Sequence, residues 1–149
     1  MKSASPGFLV DTNIVVYAYD TGEGEKQVRA QAILTQLEEL ALGSLSVQVL
    51  GEFFNTATRK LDFPLSQSQA EQRLFNFVDR WRVFDLTPAT VLEGVRGARR
   101  YQLSYWDGLI WATAKLNGAR CVLSEDFSDG LLLEGIRFRN PLLPSCSLV

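Results

Sequence analysis

Phe8-Leu9-Val10 and Cys121-Val122-Leu123 are short, wholly apolar runs, and each gives way at once to polar and acidic residues. Runs this short, with no polar alternation, read as strands covered on both faces. The segments between them read mostly as helices. Ile14 to Tyr19 follows the capping side chains of Asp11-Thr12-Asn13. Val28, Ala32, Ile33, Leu37, Leu40 and Ala41 predict an amphipathic helix over 25–42, with Gly43 as its stop. Another is expected over 47–61. Ser68 and Glu71 fit a capping box for a helix running to about Trp81. Thr87-Pro88 starts a further one, with proline at its favoured first position. Ser104 opens the last, and Asn117-Gly118 ends it. Arg82-Val83-Phe84-Asp85-Leu86 and Ile136-Arg137-Phe138-Arg139 are strand-like, the latter near an edge. Strands alternating with helices predict an α/β fold: one domain over 1–149, with a mainly parallel central sheet flanked by helices. Ligands of such sheets bind beyond the carboxyl ends of the strands. Asp11 and Asp126 follow two of those ends.

The chain contains no histidine, which removes Ser-His-Asp and Cys-His catalysis and any histidine metal site. Two cysteines, Cys121 and Cys146, are too few for a zinc site, and no pairing is indicated. A reducing, cytoplasmic setting is expected. The amino-terminal residues lead into too short an apolar run for a signal peptide, and no segment approaches a membrane span. The net charge of −2 means that a nucleic-acid enzyme built this way needs metal ions or a local basic patch to approach phosphates.

Each candidate acid has an ordinary role to weigh. Asp11 sits in helix-cap chemistry. Asp107 occupies the third helical position after Ser104, where a negative charge suits the helix dipole. On a helical wheel, Val47, Leu50, Phe53, Phe54, Ala57 and Leu61 gather on one side. Gln48, Glu52, Asn55 and Arg59 face the other, which is either a solvated face or the border of a cleft. Asp126 lies in a polar turn with Glu125 and Asp129 as rival ligands. Brought together, such carboxylates repel one another by roughly 4 kcal/mol per pair at about 4 Å and an effective dielectric near 20. Protons or divalent cations must relieve that repulsion. With oxygen donors alone, the cation is Mg²⁺ or Mn²⁺ rather than zinc.

The ordered set Leu9-Val10-Asp11-Thr12-Asn13, Glu52, Tyr105-Trp106-Asp107 and Leu123-Ser124-Glu125-Asp126 resembles a PIN domain. Within that superfamily it is most similar to the VapC-type toxins of toxin–antitoxin pairs. The resemblance runs from about Phe8 to Phe138. It implies a Mg²⁺- or Mn²⁺-dependent endoribonuclease that hydrolyses RNA with metal-activated water, leaving a 5′-phosphate and a 3′-hydroxyl. It assigns Asp11, Glu52, Asp107 and Asp126 as catalytic and metal-binding residues, with Asn13 and Ser124 orienting them. Threonine is frequent where Ser124 stands, and Asp129 matches an acidic position found in part of the family. A cognate antitoxin and a homodimer are also implied. Arg59, Arg99 and Arg100 are candidate RNA contacts, and Tyr17, Tyr101 or Trp106 candidate stacking surfaces. The alternative is a PIN-like interaction module without catalysis, whose usual mark, loss of an acidic position, is missing here. A dinucleotide-binding domain is disfavoured because no glycine-rich turn follows the first strand.

Overall fold

The computed structural model describes residues 7–148. Residues 1–6, where a leader was sought in the sequence, and residue 149 lie outside the described residues. The strands are β1 (Phe8–Val10), β2 (Gly43–Ser46), β3 (Arg82–Phe84), β4 (Cys121–Leu123), β5 (Leu132–Leu133) and β6 (Ile136–Arg139). They form one sheet in the order β3-β2-β1-β4-β6-β5. All neighbours run parallel except the β5–β6 pair. The helices are α1 (Thr12–Tyr17), α2 (Glu25–Leu40), α3 (Val47–Arg59), α4 (Gln67–Arg80), α5 (Pro88–Tyr101) and α6 (Tyr105–Asn117).

The chain lays down β1, β2 and β3 outward in one direction, then returns to place β4 on the other side of β1. Strand order therefore reverses between β1 and β4, the position where open α/β sheets form a crevice. The register there pairs Val10 with Leu123. Asp11 donates its N–H to the Leu123 carbonyl at 2.9 Å, so Asp11 and Ser124 leave the sheet side by side.

Burial explains the short strands. Leu9, Val10, Val122 and Leu123 are fully enclosed, as is every residue of β2 to within a few per cent. β2 is half serine, and each hydroxyl is used. Ser44 donates to the Phe8 carbonyl at 2.8 Å, and Ser46 caps α3 by accepting the Val49 N–H at 3.2 Å. The strand thus passes into α3 without a loop, which fixes Glu52 on the second turn.

Three local expectations shift. Ala41, left-handed at φ 55°, ends α2 in place of Gly43. Gly43 instead begins β2, where a Cβ would stand 2.3 Å from the Trp81 ring. α4 is capped two residues earlier than Ser68, by Ser66 with Gln69 closing a capping box. On α3 the enclosed stripe is Val49, Phe53 and Ala57, whereas Val47 is 40% exposed. The β5–β6 hairpin was not anticipated. It turns on Glu134 and Gly135, both at positive φ.

α5 and α6 meet at backbone distance. A Cβ on Gly108 would fall 2.4 Å from the Gly94 carbonyl oxygen. Gly108→Ala must push α6 away from α5, and overpacking of this kind costs about 1–3 kcal/mol. Urea denaturation of that variant is expected to show a loss of this size with an unchanged m-value. Stability equal to wild type would mean the helices are not in contact there.

Candidate active site

Asp11 is the buried member of the acidic set, with 8% of its surface exposed at the carboxyl end of β1. Its Oδ1 accepts the Thr12 N–H at 2.8 Å, and its Oδ2 accepts the Ser124 hydroxyl at 2.7 Å. The Ser124 oxygen in turn accepts Asn13 Nδ2 at 3.2 Å and the Asp126 N–H at 3.0 Å. One donor and two acceptor sites exhaust a hydroxyl, so Ser124 is a saturated junction that fixes Asp11, Asn13 and Asp126 relative to each other. Asn13 Oδ1 also accepts the Glu125 N–H at 3.3 Å, tying α1 to the loop after β4.

Glu52 reaches the same corner from α3. Thr12 Oγ1 donates to Glu52 Oε1 at 2.7 Å, leaving Oε2 for other partners. Asp107, half-buried, lies on the first turn of α6, where the Ser104 hydroxyl accepts its backbone N–H at 3.1 Å. Asp126 is exposed at the rim.

Electrostatics ties the set together. Burial pushes the Asp11 carboxyl up from its ordinary 3.8 to about 6. Hydrogen bonds from Ser124 and Thr12 offset part of that shift, and the charges of Asp126 and Glu52 add to it. Asp107 is also raised, first by burial, then by Asp126, with Ser104 opposing and Glu52 adding. The charges of Glu52 and Asp126 thus bear on both other acids. Among the described residues, however, no three such side chains are already drawn close enough to enclose a metal ion. The donor chemistry fits a hard divalent cation: carboxylate oxygens, one of them buried and resisting ionisation, with no nitrogen or thiolate among them.

The other candidates fall elsewhere. Asp129 is exposed, accepts the Asn140 N–H at 2.8 Å and exerts its charge on Cys121. Glu125 is held by the Tyr17 hydroxyl at 2.5 Å and by Lys26 at 2.9 Å, so its charge is neutralised outside the set. Arg59 is exposed on α3 seven residues beyond Glu52, on the same stripe and about 10 Å along. Arg99 and Arg100 are exposed on the last turn of α5. The Thr12 hydroxyl and Lys26 had no signal as site residues in the sequence, since their partners lie 40 and 99 residues away, and Tyr17, a candidate stacking surface there, donates its hydroxyl to Glu125. A cavity of about 420 Å³ between α2 and α4, lined by Tyr19, Gln31, Arg73 and Trp81, contains none of the four acids.

The PIN domain family model matches residues 8–128, most of the chain, and the protein belongs to the PIN domain family. Its fold is shared by solved structures of low sequence identity. A toxin–antitoxin complex from Klebsiella pneumoniae superposes with a TM-score of 0.61 at 20% identity, covering 89% of this chain and 96% of the other. A VapBC pair from Rickettsia felis, bound to a DNA fragment from its promoter, gives 0.64 at 17%, covering 89% and 97%. A sarcin-ricin loop cleaving VapC toxin of Mycobacterium tuberculosis gives 0.60 at 17%, covering 80% and 89%. No curated protein matches the sequence significantly.

The buried acid makes stability depend on pH in a definite direction. Folded, Asp11 keeps its proton up to about pH 6, whereas the unfolded chain releases it near 3.8. Folding therefore takes up a proton between these values, and stability falls as pH rises through that window, by about 3 kcal/mol in all. Without divalent cations, Asp11→Asn is expected to melt above wild type at about pH 8, with the difference closing as pH falls toward about 4. A variant that melts no higher than wild type at the upper pH would show that Asp11 is not buried as a charge.

Proposed function

We propose that this chain is a Mg²⁺- or Mn²⁺-dependent endoribonuclease, the toxin of a toxin–antitoxin pair, acting as one domain over 1–149. One observation carries the proposal: Asp11, Glu52, Asp107 and Asp126, from four separate elements, share one electrostatic environment at the carboxyl edge of the sheet. A structural network would pair such charges with cations, as the Glu93, Arg96, Lys115 and Glu134 cluster does elsewhere in this molecule. These four have no ion-pair partner among the described residues.

Asp11, Glu52, Asp107 and Asp126 would hold the ion, directly or through water. The ion, when bound, would supply Lewis acidity toward a phosphodiester and would lower the pKa of a water so that it gives up a proton and becomes nucleophilic. Asp11 presents a carboxylate already oriented by Ser124 and the Thr12 N–H. Thr12 holds Glu52 so that one oxygen stays free. Without histidine in the chain, the proton lost by the attacking water passes to one of these carboxylates or to solvent. Asn13, acting through Ser124, keeps Asp126 in register with Asp11. Asp129 is a further candidate ligand if its loop rearranges. Arg59, Arg99 and Arg100 are proposed phosphate contacts, Arg59 being aligned with Glu52 along α3.

The pairing of toxins with antitoxins in the similar structures supports a cognate antitoxin partner. Exposed Val91, Leu92 and Val95 on α5 offer apolar surface for a homodimer. No helix among the described residues is long and apolar enough to cross a membrane, and cytoplasmic action is proposed with the RNA substrate in mind.

Asp11→Asn is expected to abolish Mn²⁺-dependent cleavage of structured RNAs while the protein stays folded. Mn²⁺ should also raise the wild-type melting temperature, and Asp107→Asn should reduce that rise. Full cleavage by Asp11→Asn would overturn the assignment. A folded wild type that neither cleaves RNA nor responds to Mn²⁺ would point to an interaction module instead.

A further inference from the structure

Three of the four acids are carried by regular structure: Asp11 at the end of β1, Glu52 on α3 and Asp107 on α6. Asp126 lies in a bend after β4, outside any helix or strand, and is exposed. Its place therefore depends on what holds its neighbours. On one side, the Ser124 hydroxyl accepts the Asp126 N–H at 3.0 Å. On the other, Phe127 is buried and stacked on Phe138, with 4.0 Å between ring centres. Between Ser124 and Asp126 stands Glu125, and its carboxylate is engaged by two helices.

Tyr17 is the last residue of α1, and Lys26 stands on the first turn of α2. The Tyr17 hydroxyl donates to Glu125 Oε1 at 2.5 Å. Lys26 Nζ donates to Glu125 Oε2 at 2.9 Å and to the Tyr17 oxygen at 3.4 Å. It also lies over the Tyr17 ring, 4.9 Å from its centre. Both oxygens of Glu125 are thus taken, and its backbone N–H is bonded to Asn13 Oδ1 at 3.3 Å. Lys26 and Glu125 keep 44% and 28% of their side-chain surface exposed, and an ion pair this open to water contributes little to overall stability. Its effect is local: α1, α2 and the loop after β4 meet at the residue that precedes Asp126.

We infer that Tyr17 and Lys26 are positioning residues: by gripping Glu125 they hold Asp126 in place for the divalent cation and keep Glu125 itself away from it. The inference rests on the cation site proposed above and adds what fixes one of its ligands. A ligand on a loose loop must be ordered when the ion binds, and that ordering is subtracted from affinity. A loop already held loses less. Partners that orient metal ligands from behind act in this way. Glu125, one residue from Asp126, is also a rival oxygen donor. With both of its oxygens bonded to Tyr17 and Lys26, it is withdrawn from that competition.

Tyr17→Phe removes the hydroxyl and leaves every charge in place, so it tests position apart from electrostatics. Mn²⁺ is titrated into the full-length protein without RNA, and free Mn²⁺ is read by electron paramagnetic resonance. Tyr17→Phe is expected to bind Mn²⁺ about tenfold more weakly, with a metal-free melting temperature close to wild type. In metal-free protein, hydrogen exchange of the Asp126 N–H, followed by NMR, should rise several-fold in this variant. Exchange of the Asp11 N–H, bonded to the Leu123 carbonyl, should not change. Lys26→Met should also weaken Mn²⁺ binding, although it leaves Glu125 unpaired beside the set, a charge that alone would tighten it. Lys26→Arg should stay near wild type. Wild-type affinity in Tyr17→Phe, weaker affinity with unchanged Asp126 exchange, or tighter binding in Tyr17→Phe or Lys26→Met overturns the positioning role and leaves the cation site standing. A metal-free melting temperature that falls sharply in Tyr17→Phe assigns the grip to folding and overturns the role as well. A wild type that binds no Mn²⁺ removes the cation site and the positioning role together.

Discussion

Everything at this site depends on holding one carboxylate where water does not want it. Asp11 is enclosed at the end of β1, and its charge is opposed by burial and by two neighbouring acids. What holds it there are the hydrogen bonds it accepts from the Thr12 N–H and from Ser124, whose hydroxyl is itself fixed by Asn13 and the Asp126 N–H. The hydroxyl is saturated, with one donor and two acceptor sites all in use, so it ties its three partners to one point. A group held against its own solvation gains most from a cation, and that gain is what a metal-dependent site can turn into affinity.

The sheet explains how such a constraint is met. Strand order reverses beside β1, the place where open α/β sheets form a crevice, and the Val10–Leu123 register sets Asp11 and Ser124 side by side there. β2 runs straight into α3, which brings Glu52 to the Thr12 hydroxyl, and the close approach of α5 and α6 fixes the turn bearing Asp107. The charged cluster over α5, α6 and the β5–β6 hairpin works differently. Glu93, Arg96, Lys115 and Glu134 are partly exposed, and each carboxylate meets both cations, so the cluster is a neutral network complete in itself. Enclosed Trp111, donating to the Leu133 carbonyl at 3.1 Å, anchors the same corner.

Much of the fold was legible because it follows from local chemistry. The wholly apolar triplets of β1 and β4, the Thr87-Pro88 start of α5, the Ser104 cap and the Gly118 stop all act within a few residues. What was missed needed tertiary information. Gly43 looked like a helix stop, but its role is to admit the Trp81 ring from 38 residues away. Apolar residues cover more than one side of α3, so the wheel could not say that Val49 rather than Val47 faces the core. The hairpin turn uses Glu134 at positive φ, a position where glutamate gives no signal. At the site, the order of the acids was visible, whereas the grip of Thr12 on Glu52 and the diversion of Glu125 to Lys26 and Tyr17 were not.

The central claim is that these four acids form one cation-seeking pocket. Crystals grown with Mn²⁺ and measured for its anomalous scattering test it most directly. An anomalous peak in contact with Asp11 and at least one of Asp107, Glu52 and Asp126 is predicted. Manganese bound only at other carboxylates, or none at saturating concentration, would contradict it.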